Sequence, residues 1–136
     1  MTNSPMRSRD KALQSLYEIE LNSDSYTSLE RTSNKNVNKF CKNLISGVIN
    51  NIGNLDLTID SYIDRSIKSL DIIEKNVLRL ALYELIYKKE LDTPIIINEA
   101  IRLSKKYGSN NGYKYINAIL DKIVKAENQK NKSQRK

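Results

Sequence analysis

The chain has 136 residues, 39 % of them apolar and 29 % charged, enough for one packed domain and too few for two independent ones. A single cysteine, Cys41, and the lack of any histidine exclude an intramolecular disulfide, a zinc finger and a histidine-based catalytic dyad or triad. The net charge of +7 favours a polyanionic partner, nucleic acid before a membrane surface, and with no membrane-length apolar run or signal-peptide pattern a cytoplasmic protein is expected.

In chain order, Ser4 and Pro5 read as an N-cap and a first helical residue. The helix they open runs to about Leu21, with Leu13, Leu16, Tyr17 and Leu21 as its apolar stripe, Arg9 one turn ahead of it, and Arg7, Lys11, Gln14 and Glu18 on another face. Residues 22–36, "NSDSYTSLERTSNKN", lack a sustained period and predict a loop. From Val37 the helical pattern returns through Phe40, Leu44, Ile45, Val48, Ile49 and Ile52, with Cys41 as a small buried hydrophobe and Gly47 as a point of close helix packing. Gly53-Asn54 is the expected break before a short third helix carrying Leu55, Ile59, Tyr62 and Ile63.

After a connection at Ser69-Leu70-Asp71, "IIEKNVLRLALYELIYKK" (72–89) is apolar on much of its circumference, as a central helix should be, with Leu80 and Leu85 expected in the core. Thr93-Pro94 restarts the chain into a helix ending near Tyr107, where Gly108 suits a left-handed cap. "SNNG" is a turn, and a last helix over about 113–126 carries Tyr115, Ile116, Ile119, Leu120 and Ile123. The expectation is an all-α protein of six or seven helices, one domain over residues 1–126, followed by a basic, disordered tail at 127–136. From Lys125 to Lys136 the chain carries +4, more than half of the net charge.

The inventory for chemistry is short. "GSNNG" at 108–112 lacks the lysine of a phosphate-cradling loop, no carboxylate pair sits in a glycosidase-like setting, and Glu99 near a helix start suits the helix dipole. No catalytic residue, metal ligand or cofactor is expected. Nucleic acid is where composition and placement agree: Arg7, Arg9 and Lys11 crowd positive charge at the helix end the dipole disfavours for cations. Tyr17, Tyr113 and Tyr115 supply rings on which an unpaired base could stack. Two readings stay open for these residues: phosphate contact or solvated helix end for the arginines, stacking ring or core for Tyr17.

The ordered blocks "RSRDKALQSLYEIEL", "FCKNLISGV", "IIEKNVLRLALYEL", "DTPIIINEAIRLSKKYG" and "YKYINAILDKI", from Arg7 to Ile123, resemble the NusB family of transcription antitermination factors. The resemblance implies two small helical bundles packed together and a non-enzymatic protein. It implies that the protein grips boxA-type single-stranded RNA together with NusE, the small-subunit ribosomal protein. That pair would then join the antitermination complex on RNA polymerase and support ribosomal RNA synthesis. Carried over residue by residue, it implies RNA contacts at Arg7, Arg9 and Tyr17 and at Lys114-Tyr115, and a NusE contact at Glu74. Pro5 and Met6 stand where the family often has arginines. Two other readings keep the fold: a helical protein-interaction module, and a stand-alone relative of the N-terminal domain of ribosomal RNA cytosine methyltransferases. The chain ends soon after its last predicted helix, so no methyltransferase domain is expected.

Overall fold

The computed structural model describes residues 5–22 and 38–134, with side chains placed over 8–22 and 38–130. Among these, six α-helices and one 3-10 turn account for the architecture, and no strand forms. The predicted loop at 22–36 falls almost wholly outside the described residues, as do Ser4 and the side chain of Arg7.

Helix α1 (Pro5–Asn22) starts on its proline, whose missing N–H costs nothing in a first turn. Its buried stripe runs through Ala12, Leu13, Leu16 and Ile19. At 100° per residue that stripe leaves Tyr17 half-buried on its shoulder and Leu21 on the outer side, 56 % exposed, so the expected stripe is rotated toward Ile19.

Helix α2 (Lys39–Asn50) is capped by Asn38, whose side-chain oxygen accepts from the Cys41 N–H at 2.8 Å and from the Ser8 hydroxyl at 3.0 Å, tying α2 to α1. It buries Cys41, Leu44, Ile45, Gly47 and Val48. A Cβ on Gly47 would collide with the Tyr83 ring, which is the close packing its position predicts. The break comes at Asn51 rather than at Gly53-Asn54: Asn51 leaves helical geometry (φ −118°, ψ 16°) and its side chain donates to the Gly47 carbonyl at 2.8 Å. Gly53 is simply an exposed residue inside α3 (Ile52–Asp60).

Tyr62 and Ile63 follow α3 in a turn rather than within it. There the Asp60 carboxylate accepts from the Ile67 N–H at 2.9 Å, and a 3-10 turn at Ile67–Ser69 buries Ile67. Asp71 then caps α4 (Ile72–Tyr87), accepting from the N–H groups of Ile73 and Glu74. This helix buries residues on every side, and it packs against all five others. Helices α1, α2 and α3 close on one side of it, while α5 (Thr93–Tyr107) and α6 (Gly112–Gln134) close on the other, giving two small bundles with a shared spine. Leu80 lies in the core, whereas Leu85 is half-buried and lines a cavity of about 300 Å³ with Ile86, Ile96 and Val124.

Two endings differ from expectation. Gly108 is extended (φ −96°, ψ −167°), not left-handed, and its N–H returns to the Ser104 carbonyl at 2.8 Å. Helix α6 continues to Gln134, through most of the stretch expected as a disordered tail. The sequence from Lys125 to Gln134 has no glycine or proline, so once Ile116, Ile119, Leu120 and Ile123 are packed, each further residue adds a backbone hydrogen bond at little cost.

Candidate functional site

The basic start of α1 is not an open surface at every position. Arg9 is only 4 % exposed. Its Nε and Nη2 donate to the two carboxylate oxygens of Glu84 at 2.8 and 2.6 Å, Glu99 lies 3.7 Å from Nη1, and the guanidinium sits 5.4 Å from the Phe40 ring centre. Such a two-toothed pair is charge-assisted, and it offsets the desolvation of both groups only because the geometry is close and matched. Arg9, expected as an RNA contact, is placed inside the protein, where its charge fastens α1 to α4 and lies beside α5.

Asp10 completes this junction from the next position. It accepts from Arg102 at 2.5 Å, from Lys106 at 3.0 Å and from the Tyr107 hydroxyl at 3.0 Å. Burial by itself would raise its carboxyl, but these three donors together hold it below the ordinary range. A second charged cluster closes the other end of α1: Glu20 pairs with Lys75 and with Arg79 at 3.1 Å, and Arg79 holds Asp56 through two bonds of 2.8 Å. Here too burial opposes and the cationic partners prevail, leaving Glu20 lowered.

Among the described side chains of α1, Lys11 and Tyr17 are half-exposed and share a face with the exposed Gln14 and Glu18. Near Lys11 the buried Cys41 thiol is pushed up by its burial, the opposite of what a nucleophile needs.

The first turns of α6 present the second group. Lys114 is exposed and points away from the core stripe, while Tyr113 and Tyr115 lie on its two shoulders. Each ring carries a cation: Lys105 lies 4.7 Å from the Tyr113 centroid and Arg65 5.0 Å from that of Tyr115. Lys114 and Tyr115 are therefore neighbours in sequence on different faces.

Glu74 is likewise inside. It is 8 % exposed, and its carboxylate accepts from the Ser109 hydroxyl at 2.5 Å and the Ser109 N–H at 3.3 Å. Gly112 approaches so closely that a Cβ there would collide with that carboxylate. In this structure Glu74, expected at the NusE contact, fastens the turn between α5 and α6 and so fixes where Lys114 and Tyr115 begin. Glu99, expected to be structural, is 9 % exposed and paired with Arg102 at 3.0 Å.

Sequence reasoning missed Arg65 and Lys105 as partners of the tyrosines. No local signal marks them, since Arg65 and Tyr115 meet only through the fold. Among the described residues no group of three or more His, Cys, Asp or Glu side chains could hold a metal ion, and no helix is long and apolar enough to cross a membrane.

Fold and site together define an all-helical protein of two bundles on one spine, with basic and aromatic side chains displayed on α1 and at the start of α6. The NusB family profile matches residues 6–125. The transcription antitermination protein NusB of Tolumonas auensis is 38 % identical over 125 residues, covering 88 % of this chain and 91 % of that one. A structure of NusB from T. maritima superposes with a TM-score of 0.83 at 32 % identity, over 92 % of this chain and 93 % of that chain. A structure of the antitermination factors NusB and NusE in complex with double-stranded RNA matches with a TM-score of 0.73 at 28 % identity, over 88 % and 94 % of the two chains. The chain belongs to the NusB family.

Proposed function

We propose that this protein is a transcription antitermination factor that binds boxA-type single-stranded RNA together with NusE. The pair joins the RNA polymerase antitermination complex in the cytoplasm and supports ribosomal RNA transcription. The observation that carries this reading is the likeness, over most of both chains, to a NusB solved with NusE and RNA. Family membership over residues 6–125 supports it.

On this chain the RNA surface consists of Arg7, Lys11 and Tyr17 from α1 with Lys114 and Tyr115 from α6. Lysines and arginine meet phosphate, and the tyrosine rings meet unpaired bases. Arg9 and Glu74 contribute by holding the helices that carry those residues, not by touching RNA or NusE.

The test is binding of labelled boxA-like, scrambled and duplex RNA, with and without NusE. The boxA-like single strand should bind tightest, and only with NusE present. Equal binding of all three RNAs would reduce the protein to a general polyanion binder, and NusE binding without any RNA binding would make it a protein-interaction module. Lys114→Ala should flatten the dependence of log affinity on log salt by about 0.7, the loss of one phosphate contact to a single strand. An unchanged slope would remove Lys114 from the surface.

A further inference from the structure

The cavity of about 300 Å³ where the ends of α4 and α5 meet α6 carries two kinds of chemistry on its wall. Leu85, Ile86, Leu91, Ile96 and Val124 make it apolar, and its volume is at the low end for small-molecule sites, which suits a ligand with one branched or aromatic side chain. Two opposite charges stand on separate elements around it: Lys89, exposed in the turn after α4, and Glu127, exposed on α6. Among the described residues neither has an ion pair, so they do not neutralise each other.

Two helix ends add to this polarity. Among the described residues no backbone N–H returns to the carbonyls of Leu85 and Ile86 in the last turn of α4, the end that a helix dipole makes negative. Asp92 forms no side-chain cap on α5, and Thr93, the first residue of that helix, is on the cavity wall at the end the dipole makes positive. The cavity therefore offers an acceptor side, Glu127 with the α4 carbonyls, and a donor side, Lys89 with the start of α5, above an apolar floor. Phosphate would meet Glu127 and open carbonyls, and a fatty acid would leave the acceptor side unmatched. A free α-amino acid carries an ammonium, a carboxylate and an apolar body on one carbon.

We propose that this cavity binds a free α-amino acid with an apolar side chain of leucine or phenylalanine size, its ammonium toward Glu127, its carboxylate toward Lys89 and its side chain among Leu85, Ile96 and Val124. The site is separate from the RNA surface and does not rest on that reading: at about 1.5 Å per residue, Val124 stands about 13.5 Å along α6 from Tyr115. Occupancy ties the turn of α6 past Ala126 to α4 and α5, so the supply of one amino acid sets how firmly that end of the helix is held.

The experiment titrates L-leucine and L-phenylalanine into the isotope-labelled full chain and reads amide NMR shifts and thermal melts. L-Alanine, isocaproate and isoamylamine serve as controls that lack the apolar body, the ammonium and the carboxylate respectively. At least one of the two amino acids should shift the amides of residues 85–96 and 124–128 with a Kd of about 1 mM or lower and raise the melting temperature. L-Alanine should bind at least about 10-fold more weakly, since it leaves most of the apolar wall uncovered. Isocaproate and isoamylamine should each lose about 2- to 5-fold, the range of one exposed ion pair, and Lys89→Ala and Glu127→Gln should weaken the amino acid by a similar factor. Both variants should melt as wild type without ligand, because both residues are exposed. No shift with either amino acid at about 10 mM overturns the proposal. It is overturned equally if L-alanine or isocaproate binds as tightly as the amino acid, or if both variants bind as wild type. Shifts at the same residues that grow with protein concentration alone would give the cavity to a second copy of the chain and overturn it too.

Discussion

Arg9 illustrates how a buried charge is held in this protein. The Nε–Nη2 edge of its guanidinium is taken by Glu84, Glu99 stands 3.7 Å from Nη1, and the Phe40 ring centre lies 5.4 Å away. Removing one partner of such a set strands the other in a medium that solvates it badly. Arg9→Ala should therefore cost about 3–5 kcal/mol, seen as a large drop in denaturation midpoint. A midpoint within error of wild type would mean that the guanidinium spends its time in water. Gly47 is a second case where one residue decides packing. Gly47→Ala drives a methyl group into Tyr83, and with the ring stacked on Tyr87 at 5.2 Å the strain should cost about 1–3 kcal/mol. A double change to Gly47→Ala with Tyr83→Phe should recover little, because the collision involves ring carbons as well as the hydroxyl.

At the scale of the helix, α4 carries the architecture and α6 carries the display. Within α4, Leu80 is 2 % exposed and touches a closed core, so Leu80→Ala should cost about 2–5 kcal/mol by transfer and cavity terms together. Leu85 borders a cavity that already exists, so Leu85→Ala enlarges a space rather than creating one and should cost less. Chemical denaturation of the two variants checks the order, and equal losses would contradict it. In α6 the described side chains past Ala126, at 127–130, are all exposed. Truncation after Ala126 should lower the helical circular dichroism amplitude in proportion to the residues removed and leave the melting temperature nearly unchanged. These turns were legible in the sequence as basic but not as helical: the apolar period that announces a helix stops at Ile123, while backbone hydrogen bonding continues beyond it.

For the whole molecule, pH dependence follows from which groups titrate differently on folding. With no histidine and a Cys41 thiol pushed up, stability should vary little between about pH 6 and 8. Asp10 and Glu20 are held below their ordinary values of 3.8 and 4.5 in the folded chain. Their contribution is thus fully present above those values and is lost as pH falls through the lower folded ones, because the unfolded chain takes up the protons first. Acid titration of stability should steepen just below the ordinary carboxylate range, and Asp10→Asn should make that limb shallower. An unaltered acid limb would show that Arg102 and Lys106 do not hold the carboxylate in solution.

The sequence by itself determined the helices, because helix formation and its apolar faces are local: the spacing of Leu and Ile and the prolines at helix starts act within a few turns. It also determined the exclusion of histidine and disulfide chemistry, which needs only an inventory. Family likeness across five ordered blocks came from the same source. Only the tertiary structure decided which charges face water. Arg9 and Lys11 are two residues apart and equally basic, yet one is buried against Glu84 and the other half-exposed, because what neutralises Arg9 lies 75 residues away on α4. Glu74 was turned inward by Ser109, and Arg65 was brought onto Tyr115, in the same way. Charge pairing in a folded chain depends on distance through space, and beyond the neighbours that one helix brings together, such as Glu99 and Arg102, spacing along the chain does not indicate it.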